Sequence, residues 1–281
     1  VKKHWNHFWG IFFMFWPVVA ILSCVVAPAR KWWFPGVAMS PLGERIDDLF
    51  YLLLIIVTAV FIATQIAMGY VLWKGASRTS GTAWYTHGSH KLEVIWTIVP
   101  SGILLFMALY QLDVWAEFRV TSTFPAQARN QPLAEVTARQ FEWRIRYPAP
   151  DRVFRGHDDI KRWLQQPEAG DLYTVNDFHI PTGRPVMFFL RSQDVQHAFF
   201  CPELRVKQDA VPGLVIPIWT EAIAGGDYSL LCAELCGWGH YKMKARLAAQ
   251  PEAAFQKYLR DLQTSQNDDG YVPPSDSSEQ E

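Results

Sequence analysis

Three apolar runs, Phe8 to Ala29, Leu49 to Trp73 and Val94 to Leu112, dominate the first 112 residues. Each is about 19 to 25 residues long, enough to cross a bilayer core as a helix. Trp5, Trp9, Trp32, Trp33, Tyr70, Trp73, Trp96, Tyr110 and Trp115 crowd their ends, where amphipathic rings sit at headgroup level. Lys2 and Lys3 before the first run and Ala27-Pro28-Ala29 after it would also suit a cleaved leader. That run is read here as a retained transmembrane helix with Pro17 as a kink, which a membrane bundle tolerates.

Beyond Val114 the pattern changes. Residues 114–132, with Thr121-Ser122-Thr123, Pro125 and Pro132, read as a linker. From Thr137 to Tyr147, Phe141, Trp143, Ile145 and Tyr147 alternate with Glu142, Arg144 and Arg146, the signature of one half-buried strand. Asp151 to Gly170 is charged and turn-rich, a surface excursion with one helical turn near Ile160 to Leu164. Further strands are expected at Leu172 to Ile180, Pro185 to Arg191, Gln196 to Cys201, Gly213 to Glu221, Asp227 to Cys232 and Met243 to Ala248. Many short strands at this spacing form a sandwich or barrel. After Pro251, the residues Phe255, Tyr258, Leu259 and Leu262 mark one face of a closing helix. Residues 264–281 are too polar to fold and read as a disordered acidic tail.

The expected architecture is therefore a membrane-anchored all-β chain. Residues 1–30 form a first transmembrane helix, 31–113 a transmembrane hairpin, 114–132 a linker, and 133–263 a β-sandwich with a C-terminal helix. Charge supplies the orientation. The formal net charge is -1, which excludes a nucleic-acid binder on electrostatic grounds. The loop from Trp73 to Leu92 holds Lys74, Arg78 and Lys91 and no acid, so it faces the cytoplasm. The polar half then lies outside, in the periplasm of a bacterium whose plasma membrane holds the three helices. Residues 113–264 carry as many basic as acidic groups, so only a local patch could steer a charged donor.

Candidate chemistry is concentrated in Cys232-Ala233-Glu234-Leu235-Cys236-Gly237-Trp238-Gly239-His240-Tyr241-Lys242-Met243. Thiolate, imidazole and thioether in the order Cys236, His240, Met243 suit a copper electron-transfer site, which also needs a second His. His4, His7, His87 and His90 lie on the cytoplasmic side, which leaves His157, His179 and His197. The apolar strand after His197 favours that residue. A Cys232 to Cys236 disulfide and a zinc site of His197, Cys232, Cys236 and His240 are the alternatives. The first leaves the His240 and Met243 spacing unexplained, and the thioether of Met243 argues against the second.

Cys-x-Glu-x-Cys-x-x-x-His-x-x-Met at 232–243 resembles subunit II of the haem-copper cytochrome oxidases, which carries the dinuclear CuA centre. Asp194-Val195-Gln196-His197, Val206 to Gly213 and Glu93 to Pro100 are similar to further boxes of that family, and the likeness runs from about Leu49 to Leu262. The resemblance implies a cupredoxin-like fold for the outer domain and two copper ions bridged by Cys232 and Cys236. His197 and His240 would bind one copper each, with Met243 and the Glu234 carbonyl as weak axial ligands. It also implies a magnesium ion on the Glu234 carboxylate at the contact with the catalytic subunit I, and a proton pathway opening at Glu93. Partners would be subunit I, other oxidase subunits, the bilayer, and a c-type cytochrome or cytochrome-containing complex as electron donor.

Two departures stand out. Where many members have Trp-Tyr-Trp for electron uptake, this chain has Phe141-Glu142-Trp143, so that Phe141 and Trp143 are the electron-uptake candidates. The first helix exceeds the family's usual two. No Cys-x-x-Cys-His occurs, so the donor haem belongs to another protein. Quinol-oxidase subunits of the same fold lack the copper ligands. A membrane-tethered copper carrier or sensor could use the same soft donors without electron transfer.

Overall fold

In a computed structural model of the chain, residues 2–30, 32, 36–78, 85 and 87–268 are described. Trp33, residues 79–84 and 86 of the basic loop, and 269–281 of the acidic tail lie outside them. The chain divides into two units: Val1–Gly36 with Asp47–Asp113, and Val37–Ile46 with Val114–Glu281.

The first unit is helical, and the three apolar runs are its helices. These are α1 (Lys2–Ala29), α2 (Pro41–Ala76, whose first turn groups with the other unit) and α3 (His90–Tyr110). All three are long and apolar enough to span a membrane. The extra helix α1 approaches α2 closely through glycine. A Cβ on Gly69 would lie 2.6 Å from Met14 Cγ and 2.8 Å from the Gly10 carbonyl oxygen. Small residues let membrane helices meet backbone to backbone, where dispersion contacts replace the hydrophobic drive that lipid removes. The His7 ring meets the Trp73 ring edge-to-face, 4.8 Å away at 72°, at the same seam. Glu93 sits exposed in the first turn of α3, a helix with no buried residue.

The second unit is a two-sheet sandwich. Short helices α4 (Leu112–Arg119) and α5 (Ala126–Asn130) occupy most of the stretch expected as a linker. Ten strands follow: β1 (Ala134–Arg139), β2 (Glu142–Tyr147), β3 (Leu172–Val175), β4 (Asp177–Pro181), β5 (Val186–Ser192), β6 (His197–Cys201), β7 (Val206–Ala210), β8 (Ile216–Thr220), β9 (Gly226–Cys232) and β10 (Lys244–Gln250). One sheet runs β3-β2-β1-β5-β8 and the other β4-β10-β9-β6-β7. Trp143, Ile145, Phe178, Phe188, Leu190, Phe199 and Leu230 fill the space between them, each wholly buried. The one helix face read from the sequence, after Pro251, closes this core: on α7 (Glu252–Asp268), Phe255 and Leu259 are buried while Tyr258 and Leu262 pack beside them.

Three expectations are corrected. The single strand over Thr137 to Tyr147 is the antiparallel hairpin β1–β2, turning at Gln140 and Phe141. Alternation continues through the hairpin because Ala134, Val136 and Ala138 carry β1's own inward face. Leu172 to Ile180 is two strands in different sheets. Asn176 breaks it with a left-handed φ of 58°, a conformation Asn tolerates better than most residues, and exchanges hydrogen bonds with the Trp143 backbone at 2.8 and 2.9 Å. The acidic tail does not begin at Thr264, because α7 continues to Asp268. Gln266 holds that last turn, accepting from Tyr173 N at 2.6 Å and donating to the Asp171 carbonyl at 3.3 Å.

His179 on β4 belongs to this frame rather than to the metal loop. Its ring stacks on Tyr258 at 3.5 Å and bonds Gln250 Nε2 through Nδ1 at 2.9 Å and Asp177 through Nε2 at 3.0 Å. An amide NH2 on Nδ1 fits a neutral ring. Burial lowers the His179 pKa below its usual value, against the pull of Asp177. The folded state therefore binds fewer protons than the unfolded state, so stability is lost as pH falls through about 6.5. The thermal midpoint of the sandwich is expected to drop on acidification below that pH, and His179→Gln to flatten this part of the profile. An unchanged slope in the variant would assign it to other groups.

Candidate metal centre

The loop from Ala233 to Met243 joins neighbouring strands β9 and β10, so backbone pairing fixes both of its ends. Cys232 N donates to the Met243 carbonyl at 3.1 Å, and Ala233 N to Ala198 O on β6 at 3.0 Å. A single 3-10 turn, His240–Lys242, returns the chain toward the core and brings Met243 inside. His197 opens β6 one strand away, with Phe199 paired to Cys232.

The donor atoms converge. Cys232 and Cys236 are free thiols with sulfurs 3.8 Å apart. His197 Nδ1 lies 3.8 Å from Cys232 Sγ, and His240 Nδ1 lies 3.6 Å from Cys236 Sγ. Met243 Sδ is 3.9 Å from Cys236 Sγ, and the Glu234 carbonyl oxygen is 3.2 Å from Cys232 Sγ. His197, Cys236 and Met243 are buried, whereas Cys232, Glu234 and His240 are half-buried. Metal bonds of about 2.3 Å to sulfur and about 2.0 Å to imidazole nitrogen, as zinc makes them, span gaps of this size. The donor set therefore fits a thiophilic metal. Among the described residues, His197, Cys232 and Cys236 are the His/Cys/Asp/Glu group with this convergence.

Electrostatics points the same way. Burial raises the Cys232 thiol, but bonds from the His197 ring and the Ala198 and Glu234 backbone bring it down to about 6. Cys236 is pushed up to about 12 by burial and by the charge on Cys232. Two thiolates this close resist sharing a site unless a cation lies between them.

Two residues that the sequence did not single out by role hold the ligands in place. Asp194 Oδ1 lies 2.8 Å from His197 Nε2. With the proton on Nε2, the Nδ1 lone pair faces the sulfurs. Gln140, at the β1–β2 turn of the opposite sheet, donates its backbone N–H to Asp194 at 2.7 Å and its side-chain amide to the Cys236 carbonyl at 2.5 Å. In the sequence these positions are one Gln and one Asp among other polar residues, which is no local signal. Phe141 follows Gln140, partly buried beneath the metal loop, and Trp143 is wholly buried with its ring 6.4 Å from that of His197. His157, at the start of α6 (His157–Gln165), and His179 are not among the converging donors.

Residues 31–114 match the family model described as cytochrome C oxidase subunit II, transmembrane domain, and residues 135–249 match its periplasmic domain. The alternative cytochrome c oxidase subunit 2 of Bradyrhizobium diazoefficiens is 32% identical over 259 residues, covering 88% of this chain and 90% of that one. Cytochrome c oxidase subunit 2 of Thermostichus vulcanus is 26% identical, covering 80% of this chain and 77% of that one. The crystal structure of the periplasmic domain of subunit II of cytochrome oxidase from Bradyrhizobium japonicum aligns with 48% of this chain and 96% of that chain, at 20% identity and a TM-score of 0.40.

Proposed function

The chain belongs to the cytochrome c oxidase subunit II family, as a membrane-anchored subunit of a haem-copper oxidoreductase complex, and from that premise we propose that it is the complex's electron acceptor. It takes electrons from a c-type cytochrome or cytochrome-containing complex at a dinuclear copper centre and delivers them to the haem-copper subunit, where oxygen is reduced to water and protons are pumped. The observation that carries this reading is the pair of sulfurs 3.8 Å apart, each with an imidazole nitrogen within 3.8 Å. Two thiolates, two imidazoles, a thioether and a carbonyl are too many donors for one tetrahedral ion and suit two.

Cys232, Cys236, His197, His240, Met243 and the Glu234 carbonyl would together hold the copper pair. Bound there, the copper pair supplies reversible one-electron storage spread over two ions. The protein's part is to hold the donors still. Strand pairing fixes Cys232, Asp194 orients His197, and buried Met243 packs against the buried Cys236 sulfur, so few nuclei need move when an electron arrives. The half-buried Glu234 carboxylate is the group that would take magnesium at the contact with subunit I, and Glu93 in α3 would open a proton route.

The purified complex is expected to hold about two coppers per copy of this chain beyond the copper of the haem-copper subunit, and to show a mixed-valence signal by electron paramagnetic resonance. One copper, zinc alone, or copper that leaves readily to a chelator would replace this reading with a carrier or sensor. Asp194→Ala is expected to weaken copper binding by about 10- to 100-fold, the usual cost of losing a partner that orients a ligand. Competition with a chelator of known affinity measures it.

A further inference from the structure

Neither Phe141 nor Trp143 of the β1–β2 hairpin forms the outer surface over the metal loop. Trp143 is 0% exposed beneath His197. Phe141 is covered by the loop itself: a Cβ on Gly239 would fall 2.5 Å from the Phe141 ring, and one on Gly237 would fall 3.2 Å from it. Gly237 has a φ of +129°, which only glycine adopts without strain. The two glycines thus let the loop lie flat on the Phe141 ring, and the residue between them is turned outward. That residue is Trp238, 79% exposed, with its ring edge-on to Phe141 at 5.1 Å and 68°.

Trp238 stands two residues from Cys236 and two from His240, so a short covalent path leads from its ring to a bridging thiolate and to an imidazole ligand. Its neighbours are apolar and exposed as well: Leu235 is 79% and Tyr241 66% exposed. Lys242 lies over both aromatic faces, 5.8 Å from the Trp238 ring and 5.5 Å from the Tyr241 ring, which braces them. A large exposed Trp in an apolar rim is the kind of residue that anchors a transient protein contact.

Resting on the electron-acceptor reading above, we infer that Trp238 is the residue through which the electron arrives, displacing that role from the hairpin to the ligand loop. The donor's ferrous haem edge meets the indole and becomes ferric, and the copper pair gains one electron. No bond is made or broken, no proton moves, and Trp238 stays closed-shell as the bridge. Phe141 acts as a positioning residue, a floor that keeps the indole upright.

The test uses the purified oxidase complex with Trp238→Phe and Trp238→Leu, whose copper content and mixed-valence spectrum are checked first. Reduced mitochondrial cytochrome c is mixed with each in a stopped flow, and the near-infrared band of the copper centre gives the limiting first-order rate at saturating donor. Binding of the oxidised cytochrome, where no electron moves, is measured beside it. The Phe variant is expected to stay within about threefold of the native rate and the Leu variant to fall at least about tenfold, with both binding oxidised cytochrome equally well. Phe and Leu variants with the same limiting rate, whether fast or slow, would overturn the inference, because the ring's π system would then carry nothing. A difference that appears only in affinity would overturn it too, leaving Trp238 a docking residue. Failure of the native complex to show the mixed-valence signal strikes the electron-acceptor reading instead, so the two failures are told apart.

Discussion

Cys236→Ser is expected to abolish the dinuclear centre, lowering the copper counted beyond that of the haem-copper subunit from about two ions per chain to one or fewer and erasing the mixed-valence signal. Cys236 is the hub of the donor set: its sulfur lies 3.8 Å from Cys232 Sγ, 3.6 Å from His240 Nδ1 and 3.9 Å from Met243 Sδ. Serine nearly preserves the volume but replaces a soft, polarisable thiolate with a hard oxygen that stays protonated, and it cannot bridge two soft ions. The strands should be unaffected, since the loop is held by backbone bonds at Cys232, Ala233 and Met243. Met243→Leu provides the contrast. Loss of a weak axial donor should leave the copper count intact and shift the reduction potential. Metal analysis and paramagnetic resonance on the purified complex decide it, and a mixed-valence signal surviving in Cys236→Ser would sink the bridging role.

The second large effect concerns stability. Arg146→Met is expected to destabilise the sandwich by about 3–5 kcal/mol, the range for breaking a buried ion pair by removing one partner. The Arg146 guanidinium is buried, bonding Glu135 at 2.6 and 2.8 Å, Asp171 at 2.9 Å and the Trp163 carbonyl at 3.0 Å. It also lies 4.2 Å from the centre of the Trp163 ring. Burial works against its charge, but the two carboxylates raise its pKa nonetheless. Removing it strands Glu135 and Asp171 in a dry layer, although Arg191 still reaches Glu135 at 3.0 Å. Trp163 and Ile160 on α6 pack with Phe154 in a small satellite core, which this cluster ties to β2. Denaturant unfolding of the variant measures the loss. The folded fraction should keep a native copper spectrum, because none of these residues is a ligand. A loss below about 1 kcal/mol would mean that water reaches the cluster and screens it.

Particular residues show how much was legible beforehand. The spans in α1, α2 and α3 follow from composition alone, because lipid imposes a length and a polarity on any helix that crosses it. Cys232, Cys236, His240 and Met243 were legible because they lie within twelve consecutive residues, where spacing alone brings donors together. His197 was favoured among three candidates by the apolar strand after it and by the family resemblance, and the pairing of β6 with β9 sets it beside Cys232. Asp194 and Gln140 were illegible as positioning residues, since their effect depends on the β1–β2 turn of one sheet reaching the metal loop of the other. The Thr137 to Tyr147 stretch misled because alternation does not register a tight turn, and the Leu172 to Ile180 stretch because one left-handed Asn leaves an apolar run intact.

By itself the sequence determined a membrane anchor of apolar helices, an outer domain of short strands, and a soft-ligand loop whose spacing points to copper. Each of these follows from local rules: hydropathy over a window, a period of two, donor chemistry at fixed offsets. Only the tertiary structure decided how the His197 lone pair is aimed, which residues hold the ring in place, and which aromatic side chains face solvent. Those depend on residues distant along the chain meeting at one end of a sandwich, where backbone pairing and close packing, rather than residue identity, fix what touches what. Trp238 is the clearest case. In the sequence it is one aromatic between two glycines. In the fold those glycines lie flat on Phe141 and leave the indole exposed over the metal loop.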